Sequence, residues 1–334
     1  MGKVTTVGID LAKNVFSVHA IDESGAVLFK RTVSRARLMP LVAQWPACLI
    51  GLEACSGAHE WARRFQAHGH TVRIMAARFV APYRRSGKND GNDAEAICEA
   101  VQRPSMRFVP IKSAEQQAVL SLHRVRQGFV EERTATINRV RGLLAEFGAV
   151  LPNRAAEVRR GAASCAEPLP VLARQAVSDL LSHLQALDER IAAYDRELES
   201  LARASEAATR LMTVPGVGPL TALATVASVG EAHEFENGRQ FAAWLGLVPR
   251  QWSTGGKTRL GRITKRGDAY LRTLLILGAR AALQMATRRS DRLSRWALVL
   301  KERVGYHKAV VALAAKNARI VWALLAGGTS FRAA

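Results

Sequence analysis

The chain has 334 residues, enough for more than one core, and carries 48 Lys and Arg against 28 Asp and Glu, a formal charge of +20. Such an excess of cation calls for a polyanion, nucleic acid first, because each neutralised phosphate releases counterions. Cys48, Cys55, Cys98 and Cys165 form no C-x-x-C pair, the N-terminus has no signal-peptide core, and no apolar run approaches the ~20 residues of a spanning helix. A disulfide framework, a zinc site, export and a membrane partner are therefore not expected, and a cytoplasmic protein that handles nucleic acid is.

Val4 to Asp10 reads as a short apolar strand ending in an acid. Val15 to Ile21 and Ala26 to Val33 read as two further strands around the turn residues Asp22-Glu23-Ser24-Gly25. Leu38 to Trp45 reads as a helix, and Ala47 to Leu52 as a strand that ends at Glu53. Ala58 to Ala67 is then a helix, Thr71 to Met75 a strand, and Asp93 to Gln102 a helix capped by Asn92 or Asp93. Three antiparallel strands followed by a βα alternation is the order of the ribonuclease-H-like fold, here over residues 1–112.

Residues 113–205 read as helical. Glu115 to Phe147 carries an apolar stripe through Leu122, Val125, Phe129, Val140, Leu144 and Phe147, and Pro152, Pro168 and Pro170 then break the chain. After the breaks, Val177, Leu180, Leu184, Leu187, Ile191, Tyr194, Leu198 and Leu201 alternate at spacings of three and four, the pattern of a coiled-coil seam. A seam does not name its partner, so a hairpin within the chain and a coiled coil between chains are both open.

Residues 206–334 form a third, mostly α-helical region. Val214-Pro215-Gly216-Val217-Gly218-Pro219 reads as a loop between two helices and resembles a helix-hairpin-helix, in which amides around Gly216 and Gly218 would grip a DNA backbone. A helix through Phe241 to Leu245 leads to the polar loop Gln251-Trp252-Ser253-Thr254-Gly255-Gly256-Lys257. A helix from Asp268 to about Thr287 and a helical stretch from Arg292 to Leu325 complete the chain.

Two constellations carry chemistry. Asp10 and Glu53 close neighbouring strands, while Asp90 and Asp93 stand three apart at a helix start, hence on one face. Four carboxylates sharing one site repel one another unless cations neutralise them. Mg²⁺ suits such hard oxygen donors, and a pair of ions activates a nucleophile and stabilises a leaving oxygen in phosphoryl transfer. The second constellation is the hydroxyl of Ser253, with Thr254 in reserve, among Arg250, Lys257, Arg259, Arg262, Lys265 and Arg266. Between Arg250 and Arg303 the chain has fourteen Lys and Arg against three acids. A serine needs such help to attack, and cations also bind the phosphate and the charge that develops on it. Amides of Gly255 and Gly256 would add an anion nest. Gly256-Lys257-Thr258 is not a nucleotide P-loop, since that motif needs Gly where Gln251 stands.

Taken in order, Val7-Gly8-Ile9-Asp10, Leu52-Glu53-Ala54, Asp90-Gly91-Asn92-Asp93, Val214-Pro215-Gly216-Val217-Gly218, Gly246-Leu247-Val248-Pro249, the Ser253 loop, Thr264-Lys265-Arg266-Gly267-Asp268 and Leu271-Arg272 carry a resemblance over nearly the whole chain. The chain resembles the DEDD-type transposases of bridge-RNA-guided insertion sequences, which join a RuvC-like domain to a C-terminal catalytic-serine domain. The resemblance implies that Asp10, Glu53, Asp90 and Asp93 hold Mg²⁺ and that Ser253 attacks DNA to form a transient phosphoserine link. It also implies a structured guide (bridge) RNA that pairs with donor and target DNA, with Arg272 among the nucleic-acid contacts. Active sites shared between subunits of a homo-oligomer, a dimer or tetramer, are implied too. The rival reading is a metal-dependent RuvC-like nuclease or resolvase in which water cleaves and the serine loop only binds.

Overall fold

The segment Thr6-Val7-Gly8-Ile9-Asp10 is apolar without alternation, as a strand covered on both faces must be, and it forms the central β1 (Thr6–Asp10) of a six-stranded sheet. In the computed structural model, which describes residues 2–84, 90–230 and 232–332 (Asp90 by its backbone alone), the chain divides into units 1–115 and 116–334.

In the first unit β2 (Val15–Ile21) and β3 (Val27–Ser34) continue antiparallel from β1, and α1 (Arg35–Val42) follows. β4 (Leu49–Glu53) and β5 (Thr71–Met75) extend the sheet in parallel on the other side of β1, joined by α2 (Ala58–Ala67). After α3 (Ala77–Val80) come α4 (Asp90–Val101) and a two-residue antiparallel edge strand, β6 (Phe108–Val109), giving the order β3-β2-β1-β4-β5-β6. This mixed sheet with covering helices is consistent with a ribonuclease-H-like domain. The predicted strands and helices recur within a few residues; α3 and β6 were not expected, each being too short to show a period.

Strand alternation decides what each face meets. Val7, Ile9, Ile50 and Leu52 lie in one core with Phe16, Leu38, Trp61 and Phe65. The opposite face of the two central strands carries Gly8 and Gly51, and α4 descends onto them. A Cβ on Gly8 would stand 2.1 Å from the Ala94 carbonyl oxygen, and one on Gly51 would stand 2.8 Å from Val101 Cβ. These glycines allow helix backbone to approach sheet backbone.

In the second unit α5 (Ala114–Glu146, beginning in the first) and α7 (Val171–Ala204) are long helices, and α6 (Ala155–Ala166) lies between the proline breaks, where no helix was expected. The seam meets α5 of the same chain. Arg126 pairs with Asp195 and Arg133 with Asp188, while the Phe129 and Tyr194 rings meet edge to face. Partners whose numbers rise on α5 as they fall on α7 define an antiparallel pair.

The C-terminal core gathers α8 (Glu206–Met212), α9 (Pro219–Val229), α10 (Gly238–Trp244), α11 (Ala269–Met285), α12 (Arg292–Val304) and α13 (Tyr306–Gly327). The single last stretch expected from sequence is two helices, separated at Gly305, whose φ of 83° no helix interior accepts. α13 also corrects the reading of apolar runs, since it is long and apolar enough to cross a membrane by length and composition. Half of its apolar window is buried in the protein, where Val310, Leu313, Ala314, Ala318 and Val321 pack in the C-terminal core.

Candidate active site

Asp10 follows Gly8 by two residues, and Glu53 follows Gly51 by two, so both carboxylates take the sheet face that α4 covers. Parallel pairing of β1 with β4 runs to Ile9 opposite Leu52, and the next position on each strand is the acid. Asp93 is on the first turn of α4, one residue before the Ala94 carbonyl that overlies Gly8. The Asp90 side chain lies outside the described residues.

One guanidinium joins two of these acids. Arg84 Nη2 stands 3.1 Å from Glu53 Oε2, and Arg84 Nε stands 2.9 Å from Asp93 Oδ1. Both carboxylates are largely buried, with side chains 19% and 14% exposed. Asp10 and Glu53 both lie near Cys55, whose thiol pKa is raised by burial and then by their charges. Glu53 and Asp93 therefore share one cation at this sheet end, and Asp10 closes the neighbouring strand. Among the described residues no three His, Cys, Asp or Glu form a ready metal-binding group. The carboxylate oxygens of Glu53 and Asp93 are nonetheless the hard donors a divalent ion takes, and here they hold a cation, the Arg84 guanidinium. Sequence reasoning missed Arg84; an arginine nine residues before Asp93 gives no pattern of its own.

The hydroxyl loop is a β-hairpin, not an irregular loop. β7 (Pro249–Thr254) pairs antiparallel with β8 (Lys257–Ile263), Ser253 opposite Thr258 and Thr254 opposite Lys257. Gly255 and Gly256, at φ 55° and 76°, make the two-residue turn, which takes the place of the expected anion nest. The signal was in the sequence: a Gly-Gly pair between two runs of strand-forming residues. Cross-strand neighbours share a face, so Gln251, Ser253, Thr258 and Leu260 lie on one side and Trp252, Thr254, Lys257 and Arg259 on the other. Ser253 Oγ accepts a 2.8 Å hydrogen bond from Gln251 Nε2. The hairpin is exposed except at the half-buried Ile263, and among the described residues Arg250, Lys257, Arg259, Arg262, Lys265 and Arg266 have no carboxylate partner. Arg272 donates instead to the Leu245 carbonyl at 2.9 Å.

Backbone clamps hold the hairpin base. A Cβ on Gly246 would lie 2.2 Å from the Arg266 carbonyl oxygen, one on Gly267 would lie 1.7 Å from the Trp244 oxygen, and Thr264 N donates to Val248 O at 2.9 Å. Asp268 is the N-cap of α11, accepting from Leu271 N at 2.9 Å. The Val214–Gly218 loop does connect two helices. Gly216, at φ 86°, rests against Gly278 of α11, and the buried Asn317 donates to the Pro215 carbonyl at 2.9 Å. The loop forms one wall of a groove of about 1000 Å³ that Arg126, Arg133 and Arg289 also line.

A sheet consistent with a ribonuclease-H-like domain, with acids at its strand ends, followed in the chain by a basic hairpin bearing hydroxyls, is an arrangement suited to enzymes that act on nucleic-acid strands. The comparisons narrow this. A DEDD-type transposase family matches residues 7–148, and the transposase IS116/IS110/IS902 family matches residues 208–295. The chain is 49% identical, over 98% of its length and 99% of the relative's, to a Pseudomonas aeruginosa protein named "Probable family 20 transposase". It is 44% identical to the transposase for insertion sequence element IS1111A of Coxiella burnetii, over 99% of this chain and 92% of that one. With the transposase for IS1328 of Yersinia enterocolitica the identity is 41%, over 99% of both chains. The chain belongs to the DEDD-type transposases of the IS110 family, enzymes that act on DNA, and that type implies a divalent metal at its carboxylates.

Proposed function

We propose that the protein is an RNA-guided DNA transposase that cleaves and rejoins strands through Ser253, with Mg²⁺ held by Asp10, Glu53, Asp90 and Asp93. The observation that carries this reading is the convergence of Glu53 and Asp93 on one guanidinium beside Asp10. Mg²⁺, when bound, supplies the positive charge that phosphoryl transfer needs at the attacking and leaving oxygens. The serine Oγ–H loses its proton as a new Oγ–P bond forms; the P–O bond to one deoxyribose breaks, and that oxygen takes a proton. A strand hydroxyl then attacks the phosphoserine, restoring the serine and a phosphodiester. Gln251 holds the Ser253 hydroxyl in one orientation, and Thr254, opposite Lys257, is the reserve nucleophile.

Around this chemistry, the unpaired hairpin cations and Trp252 offer charge and a stacking surface to donor and target DNA, a combination suited to single strands. The Gly216–Gly218 helix-hairpin-helix segment would hold a further backbone. A structured guide RNA reads sequence by base pairing. The three regions 1–112, 113–205 and 206–334 act as carboxylate domain, helical coiled-coil assembly region and serine domain. Assembly into a dimer or tetramer in the cytoplasm brings the serine of one subunit to the carboxylates of another. A metal-dependent nuclease without a covalent step is the second reading. The partner seen at Ser253 Oγ favours it, since the Gln251 amide is no base.

The test is to incubate the protein, with its co-purifying RNA and Mg²⁺, with end-labelled element-junction DNA, and to look for a denaturant-resistant adduct. The proposed function predicts an adduct that Ser253→Ala and Asp10→Ala each abolish. Cleavage without an adduct, surviving Ser253→Ala, identifies the nuclease instead, and an adduct lost only in Thr254→Ala moves the nucleophile by one residue.

A further inference from the structure

Half-buried carboxylates without a counter-charge repel each other and lose hydration, so a metal-free site of this kind needs a cation of its own. Here that cation is Arg84. It follows the short turn Ala81–Tyr83 and splits its planar fork, Nε to Asp93 and Nη2 to Glu53, a division that a guanidinium makes and an ammonium makes poorly. Other acid-base pairs among the described residues of the first unit include Lys30 with Glu95, Arg63 with Glu60 and Arg103 with Glu99. The guanidinium is also the most exposed member of its cluster, 37% against 19% for Glu53 and 14% for Asp93, so it can withdraw to solvent while the acids stay in place.

We propose that Arg84 is the resident counter-ion of the carboxylate site and competes with the divalent metal for Glu53 and Asp93. The proposal rests on the reading of that site as a metal centre. Mg²⁺ binds carboxylate oxygens at roughly 2.0–2.1 Å, and the same oxygens cannot hold it while turned toward guanidinium nitrogens. Metal binding is then an exchange of cations. The arginine keeps the acids gathered in the metal-free protein, and the cost of displacing it lowers the apparent metal affinity.

The experiment is calorimetric titration of Mn²⁺ into the full-length protein, wild type and Arg84→Ala, each with and without Glu53→Gln. Arg84→Ala should bind Mn²⁺ roughly threefold to tenfold more tightly than wild type, since two partly exposed ion pairs no longer have to be broken. The gain should shrink as KCl is added, because salt screens such pairs. Unchanged or weaker binding by Arg84→Ala, with Glu53→Gln still lowering affinity, overturns the competition and leaves the metal centre standing. Binding that Glu53→Gln does not touch in either background removes the metal centre and the proposal with it. Should Arg84→Ala fail to fold, Arg84→Lys takes its place. A point charge bridges two carboxylates poorly, so a smaller gain in affinity is expected, and no gain overturns the proposal.

Discussion

Acidification from pH 7 to pH 5 should weaken the second unit through one side chain, His123 of α5. Its ring is 1% exposed, with Nδ1 3.0 Å from the Tyr270 hydroxyl and Nε2 without a hydrogen-bond partner among the described residues. Burial first, and then the neighbouring charge of Arg126, depress its pKa from 6.5 to about 4. The sign follows from linkage. Between the two values the unfolded chain binds a proton that the folded one refuses, so the stability present above pH 6.5 is lost as pH falls toward 4. Integrating that difference gives a loss of about 2 kcal/mol by pH 5 and about 3 kcal/mol by pH 4. Urea unfolding followed by circular dichroism at pH 7, 6 and 5 measures it. His123→Gln, neutral throughout, should lose that much less over the same range, whatever its stability at pH 7. The buried His70 of the first unit, also depressed, is present in both proteins and cancels. Equal losses in wild type and His123→Gln would rule out His123 as the source of the acid sensitivity.

Three further outcomes are expected. Gly8→Ala puts a methyl 2.1 Å from the Ala94 carbonyl, so α4 must lift from the sheet. A cost of roughly 1–3 kcal/mol or more follows, and Asp93 is drawn from Asp10 and Glu53, which thermal melting and strand cleavage would both register. Gly278→Ala, whose Cβ would meet Gly216 O at 1.8 Å, should cost a similar amount in melting experiments and leave Mn²⁺ binding by the first unit unchanged. Cys55, whose thiol burial and the nearby acids hold protonated, should react faster with iodoacetamide when Mg²⁺ neutralises Asp10 and Glu53; slower or unchanged labelling in a Cys165→Ser background counts against a metal beside it.

The positions of Asp10, Glu53 and Asp93 were legible because strand ends and a helix start are local features, and period-two alternation carries Asp10 and Glu53 to the face marked by Gly8 and Gly51. The partner of the α7 seam was not legible, since a heptad pattern states a need for apolar cover without saying who provides it. Arg84 was invisible for a related reason: its role depends on where a turn returns in space. The Ser253 segment was misread as a loop although Gly255-Gly256 sits between two strand-like runs, because its polarity and charge outweighed its alternation. The clamps at Gly246 and Gly267 show why those motifs hold glycine: another stretch of backbone occupies the place of a side chain. α13 was passed over because Lys308, Lys316 and Arg319 interrupt its apolar residues.

In the proposed reaction the acids of the first unit and a hydroxyl of the second act together. The direct measurement is strand exchange on element-junction DNA by Asp10→Ala, by Ser253→Ala and by the two mixed. Each variant alone should be inactive, and the mixture should recover activity, since each supplies the part that the other lacks. Two inactive variants that stay inactive when mixed contradict a centre shared between subunits, and activity in Ser253→Ala alone contradicts the covalent step.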